Sequence, residues 1–120
     1  MPGRVATFTD MAHLSPFDPA ALPPGVALLD FSAERCAPCR QMLPVLEALA
    51  DEYRSHVRMF AIDCDAEPAI AATYGVRAMP TLVILRDGRE VGRVVGARPR
   101  GYVAGMLDRA IAGDSAIASP

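Results

Sequence analysis

The sequence predicts an α/β domain: a central mixed β-sheet with helices on both faces. Three observations carry this. Short apolar runs suited to buried strands (Val26-Ala27-Leu28-Leu29, Val57 to Ile62, Thr81 to Leu85) alternate with stretches of helical period. A strand, a helix and a second strand in succession make a right-handed unit with parallel strands. Asp87-Gly88 is a two-residue hairpin signal, so Arg89 to Val95 pairs antiparallel with the run before it. Parallel and antiparallel pairs together make the sheet mixed.

The chain has 120 residues, 52% of them hydrophobic, which suits one domain over residues 1–120 with a core that needs no disulfide support. About 1–6 and 113–120 read as flexible ends. Arg4 to Thr9 reads as a short edge strand, and Asp10 as the start of a short helix. Pro16, Pro19, Pro23 and Pro24 interrupt any longer helix, so 10–25 is a short helix and an irregular connection. Residues 26–31 form the central strand, whose apolar run ends near Asp30, and roughly 36–54 form the long helix. Met42, Val45, Leu46, Leu49 and Tyr53 recur on one face of that helix. Pro44 lies inside it, removes one backbone bond and predicts a kink. Glu67 to Tyr74 reads as a short helix stopped by Gly75. The last helix shows Tyr102, Val103, Met106, Leu107, Ala110 and Ile111 on one side. There is no repeat and no second domain.

Charge and composition exclude several functions. A formal net charge of −2 gives no nucleic-acid footprint. All 12 basic residues are arginine, so Schiff-base lysine chemistry and a phosphate-loop lysine are excluded. No stretch approaches the length of a membrane span. The first residues lack the apolar core of a signal peptide, which makes the cytoplasm the expected compartment. His13 and His56 stand apart from each other and from any nucleophile; His56 reads as a solvated loop residue. Three cysteines do not make a disulfide framework.

Chemistry concentrates in Asp30-Phe31-Ser32-Ala33-Glu34-Arg35-Cys36-Ala37-Pro38-Cys39-Arg40. This stretch joins the central strand to the long helix and puts a C-x-x-C pair at the joint, with Cys36 in the helix's first turn. The first backbone N–H groups of a helix have no intrahelical partner, and the helix dipole favours negative charge there. A thiolate on Cys36 is stabilised by both. Free cysteine titrates near pH 8.5, and a helix N-terminus lowers that to about 7 or below. Cys39, one turn on, is in range for a disulfide. Pro38 suits an early helical position, where a missing N–H costs little.

This segment resembles the thioredoxin active site. Ala78-Met79-Pro80-Thr81 resembles the family's second signature, a loop with a cis-proline opposite the cysteines. Val95-Gly96-Ala97 resembles the third piece of its docking surface, and the likeness runs from roughly Thr7 to Ile111. The resemblance implies the thioredoxin fold and a protein thiol–disulfide oxidoreductase that reduces disulfides in partner proteins. Cys36 is then the nucleophile and Cys39 the resolving thiol, together a redox-active disulfide, with no bound cofactor. Electrons are expected from an NADPH-dependent thioredoxin reductase, a flavoprotein, and the chain is expected to act as a monomer.

Asp30 is costly to bury, and burial raises its pKa. The resemblance gives it proton transfer to and from the resolving thiol. The lysine that the family often places near this acid is here Met59, which leaves Asp30 easier to protonate. Ser32 is an accepted variant, Ala37 replaces the usual glycine, and Arg35 stands where the family usually has tryptophan. The charge of Arg35 is expected to lower the Cys36 pKa and alter partner choice from the docking rim. Pro80 is cis by resemblance, turning the Met79 backbone toward a docked peptide that pairs as an added strand. Ala37, Pro38, Met79, Gly96 and Ala97 form an apolar patch of low relief. Cys64 reads as a structural thiol whose neighbours Asp63 and Asp65 raise its pKa. Two other classes remain: a docking module whose cysteines no longer turn over, and a small metal-binding protein, although tetrahedral zinc needs four ligands.

Overall fold

A computed structural model describes residues 17–113. In it β1 (Val26–Ser32) is buried at every residue. A strand covered on both faces reads as a continuous apolar run rather than an alternating one. That explains both the sequence pattern and the position of β1 inside the sheet, whose order is β2-β1-β3-β4 with β2 at Val57–Asp63, β3 at Thr81–Arg86 and β4 at Arg89–Val95. β1 pairs parallel with β2, Val26 opposite Val57 through Ser32 opposite Asp63. It pairs antiparallel with β3, which pairs antiparallel with β4. Asp87 and Gly88 both have positive φ (51° and 84°), the backbone that a tight hairpin between twisted strands requires. The β3–β4 register shifts between Ile84 and Leu85.

Among the described residues three helices cover the sheet: α1 (Ala37–Glu52), α2 (Pro68–Thr73) and α3 (Arg100–Ile111). The side-chain period of 2 along the strands divides the core into two layers. On one face Val26, Leu28, Leu82, Ile84 and Val94 pack with Met42, Leu46 and Leu49 of α1 and Val103 and Leu107 of α3. On the other, Ala27, Leu29, Phe31, Phe60 and Val83 pack with Phe17 and Ala71 of α2. Full burial of one such Leu or Val contributes about 1.5–3 kcal/mol. Tyr53, just past α1, donates its hydroxyl to Asp108 at 2.6 Å and so ties α1 to α3. Burial, then the bond to Asp108, pushes its pKa up to about 12.

Differences from expectation sit mostly at element ends. β1 continues through Ser32, so Asp30 lies inside the strand rather than at its end. α1 begins at Ala37, after Cys36. α2 is shorter than the predicted stretch; the Gly75 N–H closes on Ala72 and the Val76 N–H on Ala71, satisfying its last carbonyls. α3 starts at Arg100. Residues 17–25 are irregular, as the prolines predict. The expected edge strand at Arg4 to Thr9, the helix from Asp10, His13 and residues 114–120 lie outside the described residues.

Candidate active site

One edge of the sheet collects the end of β1, the start of α1, the turn before β3 and the turn after β4. The loop Ala33-Glu34-Arg35 carries the chain from β1 to Cys36, which is extended (φ −142°, ψ 103°) and caps α1. Its Sγ accepts the Cys39 N–H at 3.2 Å. Cys36 therefore precedes the first turn rather than belonging to it. A sulfur takes the place usually held by a Ser or Asp oxygen, satisfying one of the helix's free donors. Pro38 lies within the first two helical positions. Cys36 and Cys39 are joined as a disulfide with Cα atoms 5.2 Å apart. Cys39 is buried at 6% exposure while Cys36 is half-buried, so a visiting chain meets one sulfur and not the other.

The turn before β3 lies against this pair. The Met79–Pro80 bond is cis, and the Met79 carbonyl oxygen is 3.7 Å from Cys36 Sγ. The Met79 N–H has no hydrogen bond among the described residues. Gly96 donates its N–H to the Pro80 carbonyl at 2.8 Å and has φ 86°, a conformation that favours glycine. Ala37, Pro38, Met79 and Ala97 are exposed and Gly96 is half-buried. Pro80, expected in the docking set, is buried in this free chain. Of the four large apolar side chains exposed among the described residues, Met79 and Val95 lie at this edge and Tyr102 is in the first turn of α3.

Asp30 is 1% exposed, and its Oδ1 has no hydrogen-bond partner among the described residues. Its register partners are Ala61 on β2 and Leu82 on β3, both apolar. Met59 stands opposite Leu28, two positions back, and supplies no cation. Burial therefore pushes the Asp30 pKa up to about 7. Ser32, two residues on and so on the same face, is also buried, and its Oγ is unpartnered. This is the face covered by α1, the helix in which Cys39 is buried. The one signal for Ser32 in the sequence is its i+2 spacing from Asp30, which by itself implies no role.

Arg35 is exposed and makes no ion pair among the described residues. Cys64 donates its N–H to the Ser32 carbonyl at 2.9 Å, and its side chain packs on the opposite face, beside the α2 layer. Burial first, then Asp63, Asp65 and Asp30, push its pKa up to about 11. Among the described residues no group of three or more His, Cys, Asp or Glu is placed to hold a metal ion. No described helix is long and apolar enough to cross a membrane.

The thioredoxin family model matches residues 15–109. Thioredoxin 1 of Synechococcus elongatus is 42% identical over 82 residues, covering 68% of this chain and 77% of that protein. The solved structure of Fasciola hepatica thioredoxin superposes with a TM-score of 0.67 at 39% identity, covering 71% of this chain and 80% of the other. A variant thioredoxin from Halobacterium salinarum superposes at 0.69 and 36% identity, over 73% and 76%. The four-stranded mixed sheet flanked by helices is shared with these solved thioredoxin structures. The chain belongs to the thioredoxin family and is a protein thiol–disulfide oxidoreductase.

Proposed function

We propose that this protein reduces disulfides in partner proteins, with Cys36 as nucleophile, Cys39 as resolving thiol and Asp30 as the proton acceptor. The observation that carries the reading is the capping contact: Cys36 Sγ at 3.2 Å from the Cys39 N–H, exposed enough to be reached. In the reduced protein that contact becomes a charge-assisted hydrogen bond to a thiolate, stronger than its neutral counterpart. The Cys36 thiolate attacks one sulfur of the partner's disulfide. A mixed disulfide forms, the partner's own S–S bond breaks, and its other sulfur leaves as a thiolate and takes a proton from water. The Asp30 carboxylate takes the Cys39 thiol proton. The Cys39 thiolate then attacks Cys36 Sγ, the mixed disulfide breaks, and the partner's second sulfur leaves and is protonated. Two electrons have passed from the dithiol to the partner.

The docked segment lies extended against Met79, whose free N–H and nearby carbonyl offer strand-type hydrogen bonds. Ala37, Pro38, Met79, Gly96 and Ala97 give it an apolar floor, and Arg35 stands at its rim. The dithiol is the only redox group the chemistry uses. It is reset by an NADPH-dependent thioredoxin reductase in the cytoplasm, where thiols are kept reduced. One chain carries every group named here, which supports action as a monomer.

Insulin reduction by dithiothreitol, followed as turbidity, tests the reading. The protein is expected to accelerate precipitation well beyond dithiothreitol alone, and Cys36→Ser to remove the acceleration. No acceleration by wild type favours the docking-module reading instead.

A further inference from the structure

Four arginines border the edge that carries Cys36. Arg35 precedes it, Arg40 lies early in α1, Arg77 is two residues before Met79, and Arg98 is two residues after Gly96. None has a carboxylate partner among the described residues; Arg58 and Arg89 elsewhere also have none, whereas Arg54, Arg86, Arg93 and Arg100 do. Arg40 donates to the Glu34 carbonyl at 3.0 Å, and the Arg98 guanidinium lies 5.8 Å over the Tyr102 ring. Arg35 and Arg77 are exposed with no hydrogen bond among the described residues. Stability does not explain the placement. Cations beside a helix N-terminus oppose the dipole, and α1 has no acidic residue in its first turn to offset them.

Acidic residues at this edge are Glu34, exposed in the β1–α1 loop, Asp63 at the end of β2, and Asp65 and Glu67 after it. The sheet order puts the β2 acids on the far side of β1 from β3 and β4. Asp63 is also occupied, accepting the Asp65 N–H at 2.9 Å. On the Met79 and Gly96 side, Arg77 is exposed two residues before Met79 and the Arg98 guanidinium lies beside Gly96, neither with a carboxylate partner among the described residues, and Arg35 immediately precedes the reactive sulfur.

We propose, resting on the reductase reading above, that the preferred substrate is an extended protein segment whose disulfide cysteine is flanked by aspartate or glutamate. Carboxylates on either side of that cysteine meet Arg77, Arg98 and Arg35 while the backbone pairs at Met79. The chain as a whole is negative, at −2, so this selection acts through the local field and not through net charge. Rim charges of this kind act on the association rate and on its salt dependence.

The test uses two peptides of one sequence, each with a single cysteine joined by a disulfide to 2-mercaptoethanol, flanked by glutamates in one and lysines in the other. Single-turnover rates with the reduced protein are divided by the rates with dithiothreitol, which removes intrinsic differences in the disulfides. Neutral bis(2-hydroxyethyl) disulfide reports on the dithiol itself. The glutamate peptide is expected to react about tenfold faster than the lysine peptide at about 10 mM salt, where the Debye length is about 30 Å. The preference falls toward unity at about 1 M, where it is about 3 Å. Arg77→Ser with Arg98→Ser is expected to shrink the low-salt ratio at least about threefold. Equal rates, a lysine preference, or a ratio untouched by the double substitution overturns the proposal while hydroxyethyl disulfide is still reduced. Failure to reduce hydroxyethyl disulfide overturns the reductase reading, and the proposal with it.

Discussion

Asp30→Asn is expected to stabilise the oxidised protein by roughly 3–5 kcal/mol above pH 8 and by little below pH 4. The folded pKa of Asp30 is pushed up to about 7 by burial; in the unfolded chain an aspartate titrates near 3.9. Between those values the folded state binds a proton that the unfolded state has released. Rising pH therefore favours unfolding across this window, by about 1.4 kcal/mol per pH unit. The stabilising protonated form is complete below the unfolded pKa, and its contribution is lost as pH rises through the folded pKa. Asparagine carries no charge at any of these pH values and avoids the loss. Urea denaturation of both proteins at intervals from pH 4 to pH 9 checks this. Curves that stay parallel across the range contradict a carboxyl buried without a counter-charge. Under the proposed proton transfer from Cys39 to Asp30, the same substitution is expected to slow release of the mixed disulfide.

Cys39→Ser is expected to leave the first step intact and to block the second. Reduced Cys39→Ser protein mixed with a disulfide substrate should accumulate as a covalent one-to-one adduct through Cys36, visible as the summed mass and released by dithiothreitol. Turnover in the insulin assay should fall on the order of a thousandfold or more, as when one member of a catalytic unit is removed. Cys36→Ser should form no adduct, since Cys39 is 6% exposed and out of a partner's reach. An adduct on Cys39 in that variant would reverse the roles given to the two sulfurs.

Elements whose side chains alternate or recur with clear period were legible in the sequence. β1 showed itself as an unbroken apolar run because both of its faces are covered, and α1 through Met42, Leu46 and Leu49 on one side. The β3–β4 hairpin was legible because Asp87-Gly88 suits a backbone few other pairs adopt. Element ends were less so, because capping is a side-chain event that hydrophobic period does not register: Cys36 reads as helical until its sulfur is seen accepting the Cys39 N–H. The buried state of Ser32 and Pro80 depends on what packs over them, which neither residue's polarity announces. The arginine rim was illegible for a topological reason. Arg35, Arg77 and Arg98 come from three separate turns, and only the order β2-β1-β3-β4 brings those turns to one edge and sends the β2 acids to the other side.

If the free amides at the start of α1 hold negative charge on the Cys36 sulfur, residue-resolved alkylation of the reduced protein will register it. Iodoacetamide labelling across pH 4 to 10, with each cysteine mapped by mass, gives an apparent pKa for each thiol. A Cys36 midpoint near or below about 7 is expected, with Cys64 labelling slowly throughout, in keeping with a thiol pushed up to about 11. A Cys36 midpoint at or above the 8.5 or so of free cysteine would contradict it.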